Sequence, residues 1–297
     1  MKKFLFVFSL LLVSYTDGKA IPKEKIIPTV QEKVSDSLKL GKKYLDENNL
    51  EKAEKYLQIA AKEDNTEAQY ILGIVYTRKN DIKSAEKYYK LAANKEDTWA
   101  MNNLGSLYEH QEKYELAEKY YKLASEKGDI FAEYNLGGLY YKQGNRKLAI
   151  KYFKHAANAG SVDSQFTLGN LYAENKKNRA AIKYYKMAID NGNIDAQNNL
   201  GVLYESQDKP ELAEKYLKIC ADNGDISSQY YLACMYEEEG KLNLAAKYFL
   251  KIAQHEDKKL VEKYMAEEDI KQLYKLIEQK IVNLDDLEEK WYYGFYD

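Results

Sequence analysis

Apolar residues along this chain recur at spacings of three, four and seven, and the spacing itself repeats. Leu72-Gly73-Ile74-Val75-Tyr76 returns at Leu104 to Tyr108, Leu136 to Tyr140, Leu168 to Tyr172 and Leu200 to Tyr204. Looser copies stand at Leu40 to Tyr44 and Leu232 to Tyr236. The central glycines, Gly41, Gly73, Gly105, Gly137, Gly169 and Gly201, step by 32 residues without slippage. A second pattern runs in phase. Alanine recurs at 53, 85, 117, 149, 181, 213 and 245, with a tyrosine three residues after each. Seven residues after each alanine is a small residue, from Ala60 to Cys220, until Ile252 ends the series. These spacings are one face of an α-helix. They predict two helices of about thirteen residues per unit and seven units.

The polar positions mark the turns. Asn80-Asp81, Gly144-Asn145, Asp208-Lys209-Pro210 and Gly240-Lys241 separate the two helices of a unit. Gly128, Gly160, Gly192 and Gly224 follow the second helix at a fixed interval and read as left-handed helix stops. The glycines inside the first helix need another reason, because each costs about 1 kcal/mol relative to alanine. Close approach of the partner helix at Ala85 or its equivalents is the expected compensation. Glu86/Lys90, Glu118/Lys122 and Glu214/Lys218 are acid-first pairs four apart, as expected of a solvated outer face.

The pattern A-x-x-x-L-G-x-x-Y followed by A-x-x-Y-Y-x-x-A resembles the tetratricopeptide repeat. The link A-x-x-x-G-x-x-x-A, as from Ala124 to Ala132, resembles the Sel-one-like subclass. The resemblance implies an all-α chain: an α-solenoid, wound as a right-handed superhelix, of about seven 32-residue helix-turn-helix repeats. It implies that the first helices line a concave groove that binds a peptide or partner protein. The expected organisation is a signal peptide over 1–20, a linker over 21–36, repeats over 37–253, and a helical cap with an aromatic tail over 254–297.

Composition adds compartment and exclusions. Charged residues make up 31% and cancel to a net −2, which gives no reason to expect nucleic acid. Of the 29 tyrosines, two slots in each of seven units account for fourteen. Lys2 and Lys3, the apolar run Phe4 to Val13 and the small-residue site Gly18-Lys19-Ala20 read as a secretory signal peptide. That run is too short to span a bilayer, and no membrane span is expected after cleavage. At the other end, Lys259 to Ala266 and Ile270 to Ile281 read as cap helices. The terminal Trp291 to Tyr296 either seals the array or docks into a partner or a second copy.

Helix geometry locates the face opposite the core at positions −5, −2, −1, +2, +5 and +6 from each motif leucine. Position −1 supplies Asn103, Asn135 and Asn199, position −2 supplies Asn102, Tyr134, Phe166 and Asn198, and position +5 supplies Tyr141. Trp99 and Phe131 stand at −5. These amides and aromatics form the candidate binding set, the aromatics alternatively packing on a neighbouring first helix. The resemblance implies that Asn103, Asn135 and Asn199 hold a bound peptide's backbone, with Thr167 interrupting the ladder. A carboxylate-gripping variant of the family needs paired bases here. Only Lys42, Arg78, Lys142 and His110 are available, opposed by Glu109, Glu174, Glu205, Glu237 and Glu238.

Catalytic signals are thin. His110, His155 and His255 sit in different units, and there is no phosphate-binding glycine loop, serine nucleophile motif or cysteine pair at metal spacing. No cofactor is expected. Cys220 faces the core and Cys234 the groove, so free thiols are expected in preference to a bridge. The expected function is an exported, non-enzymatic scaffold for protein–protein interaction. The alternative is a structural or regulatory subunit of a cell-envelope or secreted complex.

Overall fold

The computed structural model describes residues 29–255, 257–264 and Lys271. The signal peptide and the aromatic tail lie outside the described residues, as does the second cap helix apart from Lys271. Among the described residues there are fifteen helices and no strands. They fall into two compact units, one ending at Tyr88 and the other beginning at Tyr89. The first holds α1 (Val30–Asp46), α2 (Leu50–Lys62), α3 (Thr66–Arg78) and the start of α4 (Ile82–Ala93). The second continues with α5 (Thr98–His110), α6 (Tyr114–Glu126), α7 (Ile130–Lys142), α8 (Arg146–Asn158), α9 (Val162–Glu174) and α10 (Asn178–Asp190). It closes with α11 (Ile194–Glu205), α12 (Pro210–Asp222), α13 (Ile226–Glu238), α14 (Leu242–Ala253) and the short α15 (Lys258–Tyr264). Consecutive helices pack on one another from α1 to α3 in the first unit and from α5 to α14 in the second, so the class is the expected all-α solenoid. The first cap helix is present, and α15 packs on α13 through Tyr264 and Tyr230, whose ring centroids are 5.5 Å apart.

The first helix begins earlier than the expected start at Ser37. Thr29 Oγ1 accepts from the Glu32 amide at 3.2 Å, and the Glu32 carboxylate accepts from the Thr29 amide at 2.7 Å. This reciprocal capping box satisfies two of the helix's orphan donors and fixes the start at Val30.

The backbone repeats every 16 residues. Asn48, Asp64, Asn80, Glu96, Glu112, Gly128 and Gly144, then Gly160, Lys176, Gly192, Asp208, Gly224 and Gly240, all have φ between 55° and 101°. The amide of the residue after each donates to the carbonyl five positions back, at 2.7–3.2 Å. That carbonyl always belongs to the last motif residue of the preceding helix, for example Tyr76 for Asp81 and Ala124 for Asp129. The same donor residue is the N-cap of the following helix. Asn49, Asn65, Asp129, Asn145 and Asn193 accept from the amide three residues on. One residue thus closes one helix and opens the next, leaving connectors of three residues, or four after Ala93 and after Glu205. The expected glycine stops are all present. Lys113, Lys177, Lys209 and Lys241 fill the N-cap position without a side-chain cap bond.

The mid-helix glycines meet a different neighbour from the expected alanine. A Cβ on Gly41 would lie 2.5 Å from Leu57 Cγ, one on Gly105 2.6 Å from the Tyr121 ring, and one on Gly137 2.7 Å from the Phe153 ring. Gly169 and Gly201 stand in the same relation to Tyr185 and Leu217. The partner is always the residue 16 further on, four past the conserved-slot alanine. The glycine is a socket for a large side chain, because a ring needs more room than a methyl group does. Tyr121, Leu57 and Leu217 are completely or almost completely buried there.

The other end of each helix pair is closed by stacked tyrosines. In all seven repeats the motif tyrosine stacks on the tyrosine twelve residues later, from Tyr44 on Tyr56 to Tyr236 on Tyr248, with centroids 5.4–6.0 Å apart. The lysine preceding the second ring covers it, as Lys87 does for Tyr88 at 5.3 Å.

Buried polar joints link one repeat to the next. Gln69, Gln165 and Gln229 are buried, and their side-chain amides donate to the carbonyls of Ala61, Ala157 and Ala221 at the end of the preceding helix. Glu133 takes this slot in repeat four. It is buried too, and its Oε1 accepts from Ser125 Oγ at 3.3 Å and lies 2.7 Å from His155 Nδ1. A second joint corrects the picture of a merely solvated outer face. Tyr76 donates to Glu54 at 2.8 Å, Tyr140 to Glu118 at 2.7 Å and Tyr236 to Glu214 at 2.6 Å. Lys79 and Lys122 complete the pairs with Glu54 and Glu118. Burial, and then the bond to Glu54, push the Tyr76 phenol up to about 12. Burial, and then the nearby charges of Asp222 and Glu214, push Tyr248 up to about 12.

Two outcomes follow. Gly138 is also inside α7, but a Cβ there meets nothing within 4 Å. Gly138→Ala should therefore stabilise by up to about 1 kcal/mol through helix propensity. Gly137→Ala should lose that gain to an overpacking cost of about 1–3 kcal/mol. Chemical denaturation of the two variants checks this, and equal midpoints would reject the socket. The tyrosines predict the alkaline limit. A phenol raised in the folded state contributes stability in full below pH 10, the ordinary value, and loses it as pH rises through about 12. Melting temperature should fall across that window, and less steeply in Tyr76→Phe, which starts about 1 kcal/mol lower. Parallel profiles would show that the Tyr76–Glu54 bond carries no such linkage.

Candidate functional site

The odd-numbered helices of the second unit, α5 to α13, carry the expected binding set. The structure divides that set by position. The aromatics Tyr134 and Phe166 at −2 do not lie open, and each has a ring partner in the second helix of its own repeat. Tyr134 packs on Phe153 at 5.7 Å and Phe166 on Tyr185 at 6.4 Å, both within their own repeat. The large side chain that fills the glycine socket is thus covered from above by the aromatic three residues before the glycine. Tyr134 and Phe166 are half-buried, and their first role is packing.

The amides join repeats. Asn102 is buried, and its Oδ1 accepts from Asn135 Nδ2 at 2.9 Å, tying α7 to α5. Asn199 Nδ2 donates to Asn170 Oδ1 at 2.9 Å, tying α11 to α9, and Tyr185 donates to the same oxygen at 2.7 Å. Asn198 donates to Asp225 Oδ2 at 3.0 Å and to Ser228 Oγ at 2.5 Å, at the start of α13. Asp225 also caps α13 through the Ser228 amide. Asn103 is half-buried and Tyr141 is exposed. Asn135, Asn199 and Asn103 keep part of their surface in solvent, so the ladder at −1 is partly open and partly structural.

Two features of this face went unread in the sequence or were undervalued. Asn170, at +2, is the acceptor that organises Asn199 and Tyr185, yet +2 elsewhere reads Ser106, Gly138, Val202 and Cys234 and shows no amide pattern. Trp99 and Phe131 are 52% and 55% exposed, and their centroids are 5.7 Å apart. They come from adjacent repeats, and their shared −5 position was the available signal. At the other end of the same two helices Lys142 pairs with Glu109 at 2.6 Å.

The titratable groups are otherwise structural. His155 is exposed and holds the buried Glu133. Cys220 and Cys234 are free thiols. Cys220 is buried and its thiol lies 3.7 Å from the Ile194 carbonyl, whereas Cys234 is half-buried on α13. Burial pushes both thiols up, away from reactive thiolate character.

Comparisons with known proteins agree with this geometry. Tetratricopeptide repeat family models match residues 38–98, 100–129, 134–159 and 166–226, together more than half of the chain. No curated protein matches. A Sel1 repeat protein from Oxalobacter formigenes aligns over 82% of this chain and 99% of its own, at 24% identity and a TM-score of 0.56. A protective antigen of uropathogenic Escherichia coli, described as displaying an SLR fold, aligns over 89% of this chain and 73% of its own, at 18% identity and a TM-score of 0.53. The pilF protein of Pseudomonas aeruginosa aligns over 68% and 97%, at 21% identity and a TM-score of 0.55. At these identities the likeness is one of fold.

Proposed function

Because the chain belongs to the tetratricopeptide repeat family, with a Sel-one-like relationship, we propose that it is an exported, non-enzymatic scaffold that holds a peptide or partner protein. The surface used is the exposed face of the odd-numbered helices in the second unit. The observation that carries this reading is the Trp99–Phe131 pair. Two large aromatics more than half exposed and in contact with each other bury little against their own chain. A pair of this kind, rimmed by the half-open amides Asn103 and Asn135, has the make-up of an interface anchor. Tyr141 extends the aromatic surface on α7.

Capture of a partner from the exported fraction by the full chain, compared with Trp99→Ala/Phe131→Ala, tests the surface. The double variant should keep its melting temperature, since exposed substitutions usually stay within about 0.5 kcal/mol. It should lose at least about thirtyfold in affinity, the equivalent of about 2 kcal/mol. Undiminished capture would move the binding surface elsewhere. Export rests on the leader Lys2 to Ala20. N-terminal sequencing of cell-derived protein should begin after Ala20, and material still starting at Met1 would remove the compartment from the proposal.

A further inference from the structure

The second unit sorts its charges by helix. α9, α11 and α13 contain no lysine, arginine or histidine. Their charges are Asp163, Glu174, Asp195, Glu205, Glu237 and Glu238, all exposed. Each stands at −5, +5 or +6 from its motif leucine. At 100° per residue, that is within about 60° of the direction opposite the core. Among the described residues none of the six is in an ion pair. The neighbouring even helices α8, α10 and α12 do carry cations, among them Lys151, Lys154, Lys183 and Lys215, and all four of these lie over tyrosine rings. The carboxylates of α9, α11 and α13 therefore have no compensating base on their own helices.

We propose that this face, from Trp99–Phe131 on α5 and α7 to the carboxylates of α9, α11 and α13, docks a cationic, extended segment of a partner polypeptide. The proposal rests on the scaffold reading above and specifies the chemistry of what is held. Charge complementarity chooses the occupant. Unpaired carboxylates gain from a lysine- or arginine-bearing chain and repel phosphates, anionic lipid surfaces and acidic peptides. The amides agree in sign. Asn135 and Asn199 each direct an N–H inward to Asn102 and Asn170, which leaves the carbonyl oxygen of each as an acceptor for a partner's donors. The aromatic pair suits the same ligand, since an ammonium or guanidinium is attracted to a tryptophan face and its aliphatic stem packs on the rings.

The test uses the full chain and a fluorescein-labelled twelve-residue peptide, four repeats of Lys-Ser-Leu, read by anisotropy. Its counterpart carries glutamate in place of lysine. The lysine peptide should bind and the glutamate peptide should not, and affinity should fall at least about tenfold between 50 and 300 mM salt. Asp163→Lys/Asp195→Lys/Glu205→Lys should abolish binding with an unchanged circular dichroism spectrum. Glu115→Lys/Glu126→Lys/Glu211→Lys changes the net charge equally on the even helices and should bind within about twofold of the parent. Equal binding of the two peptides, or equal loss in both triple variants, would overturn the proposal. So would self-association of the chain alone that the first triple variant abolishes, because the occupant would then be a second copy. Partner capture that depends on Trp99 and Phe131 while the lysine peptide fails to bind would leave the scaffold standing and remove the cationic specificity. Lysine-peptide binding in a protein whose partner capture ignores Trp99 and Phe131 would do the reverse.

Discussion

The contact on which the repeats depend is a large side chain seated on a glycine 16 residues earlier. Gly105 under Tyr121, Gly137 under Phe153 and Gly169 under Tyr185 bring the two helices of a repeat so close that a methyl group has no place between them. The glycine's cost in helix propensity is offset by burial of the ring, since burying an aromatic side chain contributes about 1.5–3 kcal/mol. With that distance fixed, the motif tyrosine at the far end of the pair meets its partner twelve residues on and stacks. The three-residue connector then follows without freedom, because the carbonyl that accepts its closing bond belongs to that same tyrosine. Spacing along the helix, depth of packing and length of turn are one constraint expressed three times.

Joining repeats takes a different kind of contact. The pairs are closed by apolar sockets and stacked rings, whereas the joints carry polar side chains: buried Gln69, Gln165 and Gln229, the tyrosine–glutamate bonds, and the asparagines of α5, α7, α9 and α11. A buried amide with a partner costs little, but one left unpaired costs about 1–3 kcal/mol. Such joints therefore fix the register of one repeat on the next more sharply than apolar contact would. Repeat four shows how much variation the joint accepts. Glu133 cannot donate to a carbonyl as glutamine does, and Ser125 and the nearby His155 face its carboxylate instead.

The sequence made the helices, their pairing, the connectors and the two recurring tyrosine slots legible, because each depends on a residue type at a fixed interval, although the intervals alone do not say that the paired tyrosines stack. It was silent where a contact depends on direction. Nothing in the run from Ala117 to Ala124 says that Tyr121, not Ala117, fills the socket of Gly105. Whether Tyr134 faces solvent or Phe153 turns on a few tens of degrees about the helix axis, which a 3.6-residue pattern does not resolve. The role of Glu118 and Glu214 was hidden by a better-known pairing, since an acid four residues before a lysine already has an adequate local explanation. The candidate site was half legible. Its residues do lie on the first helices, but Asn102 is buried, and it, Asn198, Tyr134 and Phe166 make packing and hydrogen-bond contacts that hold that face together.

That division points to where a repeat protein keeps its specificity. A residue that recurs at every repeat supports a contact made in every repeat, as the stacked tyrosines do. Such a residue cannot distinguish one ligand from another along the array. Information about a partner has to be written where the period is broken. On the odd helices of the second unit the breaks are ordered. Exposed rings stand at −5 in repeats three and four, aspartates take that position in repeats five and six, and bases are absent from α9, α11 and α13. A solvated face with no ligand has no reason to arrange its departures in sequence, because mixed charge would solubilise it equally well. An extended segment crossing successive helices would meet the aromatic end and the acidic end in turn, so its direction along the face would be set by side chains that do not recur through the array.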